Sequence, residues 1–267
     1  MMRLTAEDVL QRHDKAMTKK EDFRNLYEEA YEFALPQRNL YDGHYDGKVG
    51  GSKKMNRVFD STAINSTQRF ANRMQSGIFP PQRQWCRLEP GSDIPPDRTA
   101  EAQAALDLYN EKLFDTLKQS NFDIAIGEFL LDLCVGTAVM MIQPGDDVNP
   151  INFIPVPQYL VSFEEGANGQ VDNVYRRMRL KGEALLRQWP DATISSELQN
   201  KIDQKPTDEL EFIEATVFDQ KRGDYCYHVI EKKSKTELVY RRMDTSPWVV
   251  SRYSKVAGEI YGRGPLI

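Results

Sequence analysis

Cysteine and histidine are scarce. The chain of 267 residues holds three of each, and none lies close to another of its kind. Cys86, Cys134 and Cys226 are an odd, scattered set, which excludes a disulfide framework and suits free thiols. His13, His44 and His228 are too far apart in sequence for metal-ligand spacing, and no cysteine pair supports them. The opening residues MMRLTAEDVLQRHDK contain no apolar stretch of the kind a secretory leader needs. Long apolar runs are missing too. The strongest, residues 122–142, is interrupted by Glu128, Asp132 and Gly136, and it predicts a core helix followed by a core strand instead of a membrane span. There is no excess of positive charge. At a net charge of −5 the chain is no general wrapper of nucleic acid, so any DNA contact must be local.

Catalytic signatures are equally thin. No GxSxG, HExxH or DxDxDG occurs. The loop GHYDGKVGGSKK invites a phosphate-binding reading. However, Gly43 and Gly47 enclose only three residues, Val49 follows Lys48, and no apolar strand precedes the loop. It therefore reads as a glycine-rich connection, not a nucleotide cradle. Asp146-Asp147 and Glu164-Glu165 read as solvated carboxylates in turns. No cofactor is expected.

What is present is the material of a packed fold. The chain is 40% hydrophobic and 10% aromatic, which is ample for a core. Thr5 and Asp8 form a capping box that starts a helix. Val9, His13, Met17, Phe23, Tyr27, Ala30 and Ala34 continue one helical stripe up to Pro36. Residues 37–56 read as a loop. A second helix starts near Ser61 with a stripe of Ala63, Thr67, Phe70, Met74 and Ile78, and its opposite face carries Asn65, Gln68, Asn72 and Gln75. Gly77 is expected to supply a left-handed ending, and Pro80-Pro81 forbids continuation. Gln84–Leu88 reads as a short strand, so Phe79 and Trp85 flank a sharp corner.

Asp97 is expected to cap a third helix with a stripe of Ala102, Leu106, Tyr109, Leu113 and Leu117. Asn121 should cap a fourth, ending at Gly136. From Thr137 the period changes to two. Eight strand-like runs follow, with turn signals at 144–146, 168–169, 223–224 and 233–234, and helical inserts near 181–188 and 194–202. The expectation is an α+β fold with a mainly helical region over 1–136 and an antiparallel, β-rich region over 137–267.

Three basic groups stand out. Lys48, Lys53, Lys54 and Arg57 offer transient phosphate contacts. Arg176, Arg177 and Arg179 form a second group and Arg241-Arg242 a third. Adjacent strand residues point to opposite faces, so exposed strand surface is the simplest reading of the latter two.

Three stretches together resemble the portal, or head-to-tail connecting, proteins of T7-like short-tailed phages. The first is the polar helix ending at Phe79-Pro80 with Trp85-Cys86-Arg87-Leu88 after it. The second is Cys134-Val135-Gly136-Thr137-Ala138 with Ile154-Pro155-Val156-Pro157-Gln158-Tyr159. The third is Gly258-Glu259-Ile260-Tyr261-Gly262-Arg263-Gly264-Pro265. No single motif is a strong signature; their order and spacing over the whole chain are specific.

The resemblance implies a non-enzymatic subunit of a ring, normally of 12 copies, at one capsid vertex. Double-stranded DNA passes through its hole, and a separate terminase hydrolyses ATP. Capsid or scaffold and tail adaptor proteins are its other partners, with no membrane involved. It implies assembly in the host cytoplasm and a final place in the virion. Family members are longer, so this chain is expected to be the N-terminal, wing-forming portion, with the stem and clip lying past Ile267. On that reading Phe70, Met74, Phe79, Trp85, Tyr261 and Arg263 are structural anchors or interface residues. Two other classes compete. A hydrolase or nuclease would need distant carboxylates converging on one pocket with a divalent ion. A different phage adaptor or binding module would be a short autonomous chain.

Overall fold

The computed structural model describes residues 3–38, 58–81 and 83–267. Most of the expected glycine loop lies outside the described residues, and with it His44 and the whole of the group Lys48, Lys53, Lys54 and Arg57. Seven α-helices and eight strands are described, a mixed helix and antiparallel-sheet architecture as the change of period at Thr137 predicts.

Helix α1 spans Ala6–Glu21 and α2 Arg24–Ala34. The capping box forms: the Thr5 hydroxyl accepts from the Asp8 amide at 3.2 Å, and the Asp8 carboxylate accepts from the Thr5 amide at 3.0 Å. The expectation of one helix up to Pro36 fails at Asp22-Phe23, where the Phe23 amide bonds back to the Lys20 carbonyl at 2.9 Å. No glycine or proline marks the break, and the apolar stripe keeps its phase across it. Tertiary contacts set it instead. Lys20 is buried and tied to the chain around Gln158, whereas Phe23 turns into an aromatic group around Tyr261.

Helix α3 (Thr62–Ile78), α4 (Thr99–Gln119) and α5 (Phe122–Val135) follow. Gly77 does not turn left-handed; the helix runs through it and stops at Phe79, whose position before a proline disfavours the helical conformation. The inward residues of α3 are Thr67 and Ala71, while Ile78 is exposed. On α4 the inward residues are Asn110 and Phe114, Tyr109 points out, and Arg98 occupies the cap position expected for Asp97.

Strands β1 (Thr137–Pro144), β2 (Ile151–Val156) and β8 (Trp248–Arg252) form an antiparallel sheet in the order β2-β1-β8. Strands β3 (Val161–Glu165), β4 (Val171–Lys181), β5 (Glu209–Asp219), β6 (Asp224–Glu231) and β7 (Thr236–Met243) form a five-stranded meander in sequence order. Helices α6 (Leu185–Gln188) and α7 (Ser196–Gln204) occupy the β4–β5 connection.

The layering follows from the alternation of side chains along strands. On β5, Ile213, Ala215 and Val217 face Val9, Leu10 and Ala16 of α1. Leu210 and Phe212 face the main core, where α2, α6 and α7 meet Val139, Met141 and Trp248 of the small sheet. The Trp248 indole N–H donates to the Thr216 hydroxyl at 3.0 Å and so bonds the two sheets directly. Ala138, Met140 and Phe153, on the other face of the small sheet, pack against α5, with Ala71 and Met74 of α3. The apolar run 122–142 is thus divided at Gly136 into a core helix and a core strand, and no helix among the described residues is long and apolar enough to cross a membrane.

Candidate functional site

Gln84–Leu88 forms no strand. It is an extended segment held by one side chain. The buried Asn110 amide accepts from the Leu88 N–H at 2.8 Å and donates to the Leu88 carbonyl at 3.1 Å, as a strand partner would. Asn121 does the same to an edge strand. Its amide accepts from the Phe153 N–H at 2.9 Å and donates to the Phe153 carbonyl at 2.6 Å, so it cannot cap α5 as expected. With Pro155 on the same strand, this leaves β2 a poor template for further pairing.

These clamps seat the corner between α3 and α4. Phe79 meets Trp85 perpendicularly at 4.9 Å between ring centres. Trp85 stacks on Phe122 at 5.7 Å and meets Phe114 edge-on at 5.6 Å, and Phe122 in turn meets Phe153 at 5.1 Å. One aromatic set therefore joins the end of α3, the extended segment, α4, α5 and β2. Such pairs contribute about 0.5–1.5 kcal/mol each beyond their buried area. Met74 packs on the same cluster, and Phe70 lies edge-on to Tyr253 at 5.7 Å.

A second junction joins the end of α5 to the last residues of the chain. Gly136, Gly262 and Gly264 meet backbone to backbone. The Gly264 N–H donates to the Val135 carbonyl at 3.0 Å, and the Tyr253 N–H donates to the Gly136 carbonyl at 2.9 Å. The Gly262 N–H donates to the Thr137 hydroxyl at 2.8 Å, and the Tyr27 hydroxyl donates to the Gly262 carbonyl. Gly136 has φ +153°, which few side-chain-bearing residues adopt. Tyr261 is 0% exposed, with its ring 4.3 Å from that of Phe163, 5.3 Å from Phe23 and 6.3 Å from Tyr27. Burial pushes the Tyr27 hydroxyl up to about 12 and raises that of Tyr261 as well, so both stay protonated. Arg263 does not enter this core. It forms a two-bond ion pair with Glu259, at 2.8 and 2.6 Å, on the surface.

The remaining charges are mostly paired. Arg176 is no exposed strand residue: it points inward to the buried Glu214, which also accepts from the Tyr227 hydroxyl at 2.5 Å. Burial raises Glu214 against the pull of Arg176. Arg177 pairs with Glu211 at 2.7 Å, Arg241 with Asp191, and Arg242 with Asp224 and Asp219. Glu164 and Glu165 are not free turn carboxylates. They end β3, where Glu164 accepts from Asn173 and Tyr175, and Glu165 binds Arg252 and Lys255. Buried Asp132 holds Arg38 at 3.1 Å and the Tyr31 hydroxyl at 3.0 Å. These buried acids serve separate local partners and do not converge. Among the described residues no group of three His, Cys, Asp or Glu side chains is placed to hold a metal.

Lys20 is held differently. It is buried without a carboxylate, and its ammonium donates to the carbonyls of Gln158 at 2.6 Å and Val161 at 2.8 Å. Burial lowers its pKa to about 7. Neither Lys20 nor Asn110 stands out in the sequence, and Asn121 stands out there only as a helix cap. Each is a polar residue on a helix, and only the partner backbone it meets sets it apart.

Of the residues singled out from sequence, Met74, Phe79 and Trp85 meet in one cluster, Tyr261 lies in the other junction, and Phe70 and Arg263 stand at neither centre. The chain's similarity to known proteins bears on these same stretches. A family model described as bacteriophage head to tail connecting protein matches residues 6–267. No curated protein matches the chain.

Proposed function

The chain belongs to the bacteriophage head to tail connecting protein family, and on that premise we propose that it is a structural subunit of a portal ring. The ring sits at a single capsid vertex of a short-tailed, T7-like phage, normally in 12 copies, and duplex DNA passes through its centre during packaging and ejection. The chain itself carries out no bond chemistry. A terminase supplies ATP hydrolysis, and capsid or scaffold proteins and a tail adaptor bind around the ring, which assembles in the host cytoplasm and ends in the virion. The chain forms the wing, with a mainly helical part over 1–136 and a β-rich part over 137–267.

The observation that carries this reading is the glycine junction. Two of the stretches that resemble portal proteins, around Gly136 and around Tyr261–Gly264, lie far apart in sequence and interlock in space. An interlock of that kind fixes the direction in which the chain leaves the wing, which a ring subunit must repeat identically in every copy. The charge distribution agrees. Each phosphate that a conduit neutralises adds grip, and an acidic chain whose strand arginines are already paired offers little of it. Met74, Phe79 and Trp85 stiffen the α3–α4 corner, Phe70 anchors α3 against Tyr253, and Lys48, Lys53, Lys54 and Arg57 remain the candidates for passing DNA contact.

Gold-labelled antibody against the chain, applied to virions opened at the tail, tests the placement. One labelled vertex per particle is expected. Label distributed over the shell or along the tail would overturn it.

A further inference from the structure

Between Ser61 and Leu88 the sequence has no aspartate or glutamate, and its only charged residues are Arg69, Arg73, Arg83 and Arg87. In a chain of net charge −5 this is an outlying stretch. On α3, Arg69 and Arg73 stand one turn apart on the solvent side with Asn65, Gln68, Asn72 and Ser76, all of them exposed. Neither arginine forms an ion pair among the described residues. Asn65, Gln68 and Ser76 hydrogen-bond within the helix, so among the described residues this face offers two arginines without an ion-pair partner, set among polar side chains.

Helix α4 shows the complementary anomaly. It is 21 residues long but buries only Asn110 and Phe114. Leu108 is 55% and Tyr109 62% exposed, large apolar side chains on the outer side of the helix, left uncovered among the described residues. Beside them Glu111 and Asp115 are exposed one turn apart, next to Lys112, and Glu101 is exposed near the helix start. Asp107 is already taken by Arg87, and Asp115 has only a 4.0 Å contact with Lys118. Both α3 and α4 lean on α5 through their inner faces, so among the described residues both outer faces are open.

A closed ring with one kind of contact needs two different, mutually complementary patches on each copy. Resting on the ring reading above, we infer that the outer face of α3 in one copy seats on the outer face of α4 in the next. Arg69 and Arg73 then meet Glu111 and Asp115, and the α3 amides close over Leu108 and Tyr109. Interface cores favour such aromatic and arginine residues.

Charge exchange in the full-length chain tests this, with assembly read by sedimentation velocity and folding by circular dichroism. Arg69→Glu with Arg73→Glu places acid against acid at every contact, and the ring fraction should fall at least tenfold. Glu111→Arg with Asp115→Arg places base against base and should do the same. The chain carrying all four changes restores opposite charges and should recover rings. Folded variants that assemble like the parent, or a fourfold variant that stays apart, would overturn this contact while leaving the ring intact. A parent chain that forms no ring would instead remove the portal reading, and this contact with it.

Discussion

Gly136 and Gly262 approach so closely that a methyl group added to Gly136 would lie 2.9 Å from the Gly262 carbonyl carbon and closer still to its oxygen. A methyl on Gly262 would in turn meet the Gly136 carbonyl oxygen and come within 3.1 Å of Arg252 Cα. Real side chains do not tolerate such contacts with backbone. Gly262→Ala should cost about 2–4 kcal/mol of unfolding free energy, within the range of overpacked core sites. Gly136→Ala adds an unfavourable φ and should cost more. Gly223→Ala is the control: its φ is +73° but nothing lies near its Cβ position, so it should cost about 1 kcal/mol. Urea midpoints for the three variants check the order.

The aromatic corner should be a stability element. Trp85→Ala removes the ring between Phe79, Phe114 and Phe122 and should cost about 3 kcal/mol. Trp85→Phe keeps part of the packing and should cost about half as much. Equal, negligible losses for both would contradict the packed corner.

Asn121 and Asn110 invite a sharper substitution. Aspartate can accept from the backbone N–H but cannot donate to the carbonyl. Asn121→Asp should therefore destabilise by about 1–3 kcal/mol at neutral pH, because a carboxylate oxygen then faces the Phe153 carbonyl that now lies 2.6 Å from the amide nitrogen. The loss should shrink as pH drops towards the carboxyl pKa and the group regains a donor.

Lys20 gives the chain a pH signature. Its pKa falls from 10.5 to about 7 on burial. Between these values the unfolded chain binds more protons than the folded one, so stability rises with pH, by up to about 1.4 kcal/mol per pH unit. Below about 7 both states are protonated and the slope ends. Unfolding measured from pH 7 to 9.5 should show this rise in the parent, and Lys20→Met should flatten it.

How much of this was legible beforehand differs by feature. The switch at Thr137 and all eight strands follow from period and turn residues, which act locally. The break at Asp22-Phe23 does not, because Lys20 is turned by Val161 and Phe23 by Tyr261, both far along the chain. Arg176 read as surface because strand alternation gives two faces but not which of them is covered; α7, Trp189 and the small sheet cover this one. The strand expected at Gln84–Leu88 was nearly right in conformation, and wrong because its partner is a side chain. Tyr261 and Gly262 were picked out by resemblance alone, and their contacts with Tyr27 and Gly136 supply a physical reason for a glycine there.

On the proposed function these are packing surfaces of an annular assembly. Particle imaging of the purified full-length product tests it most directly. Closed rings with a central opening wide enough for duplex DNA are expected. A uniform population of single subunits or of open filaments would contradict it.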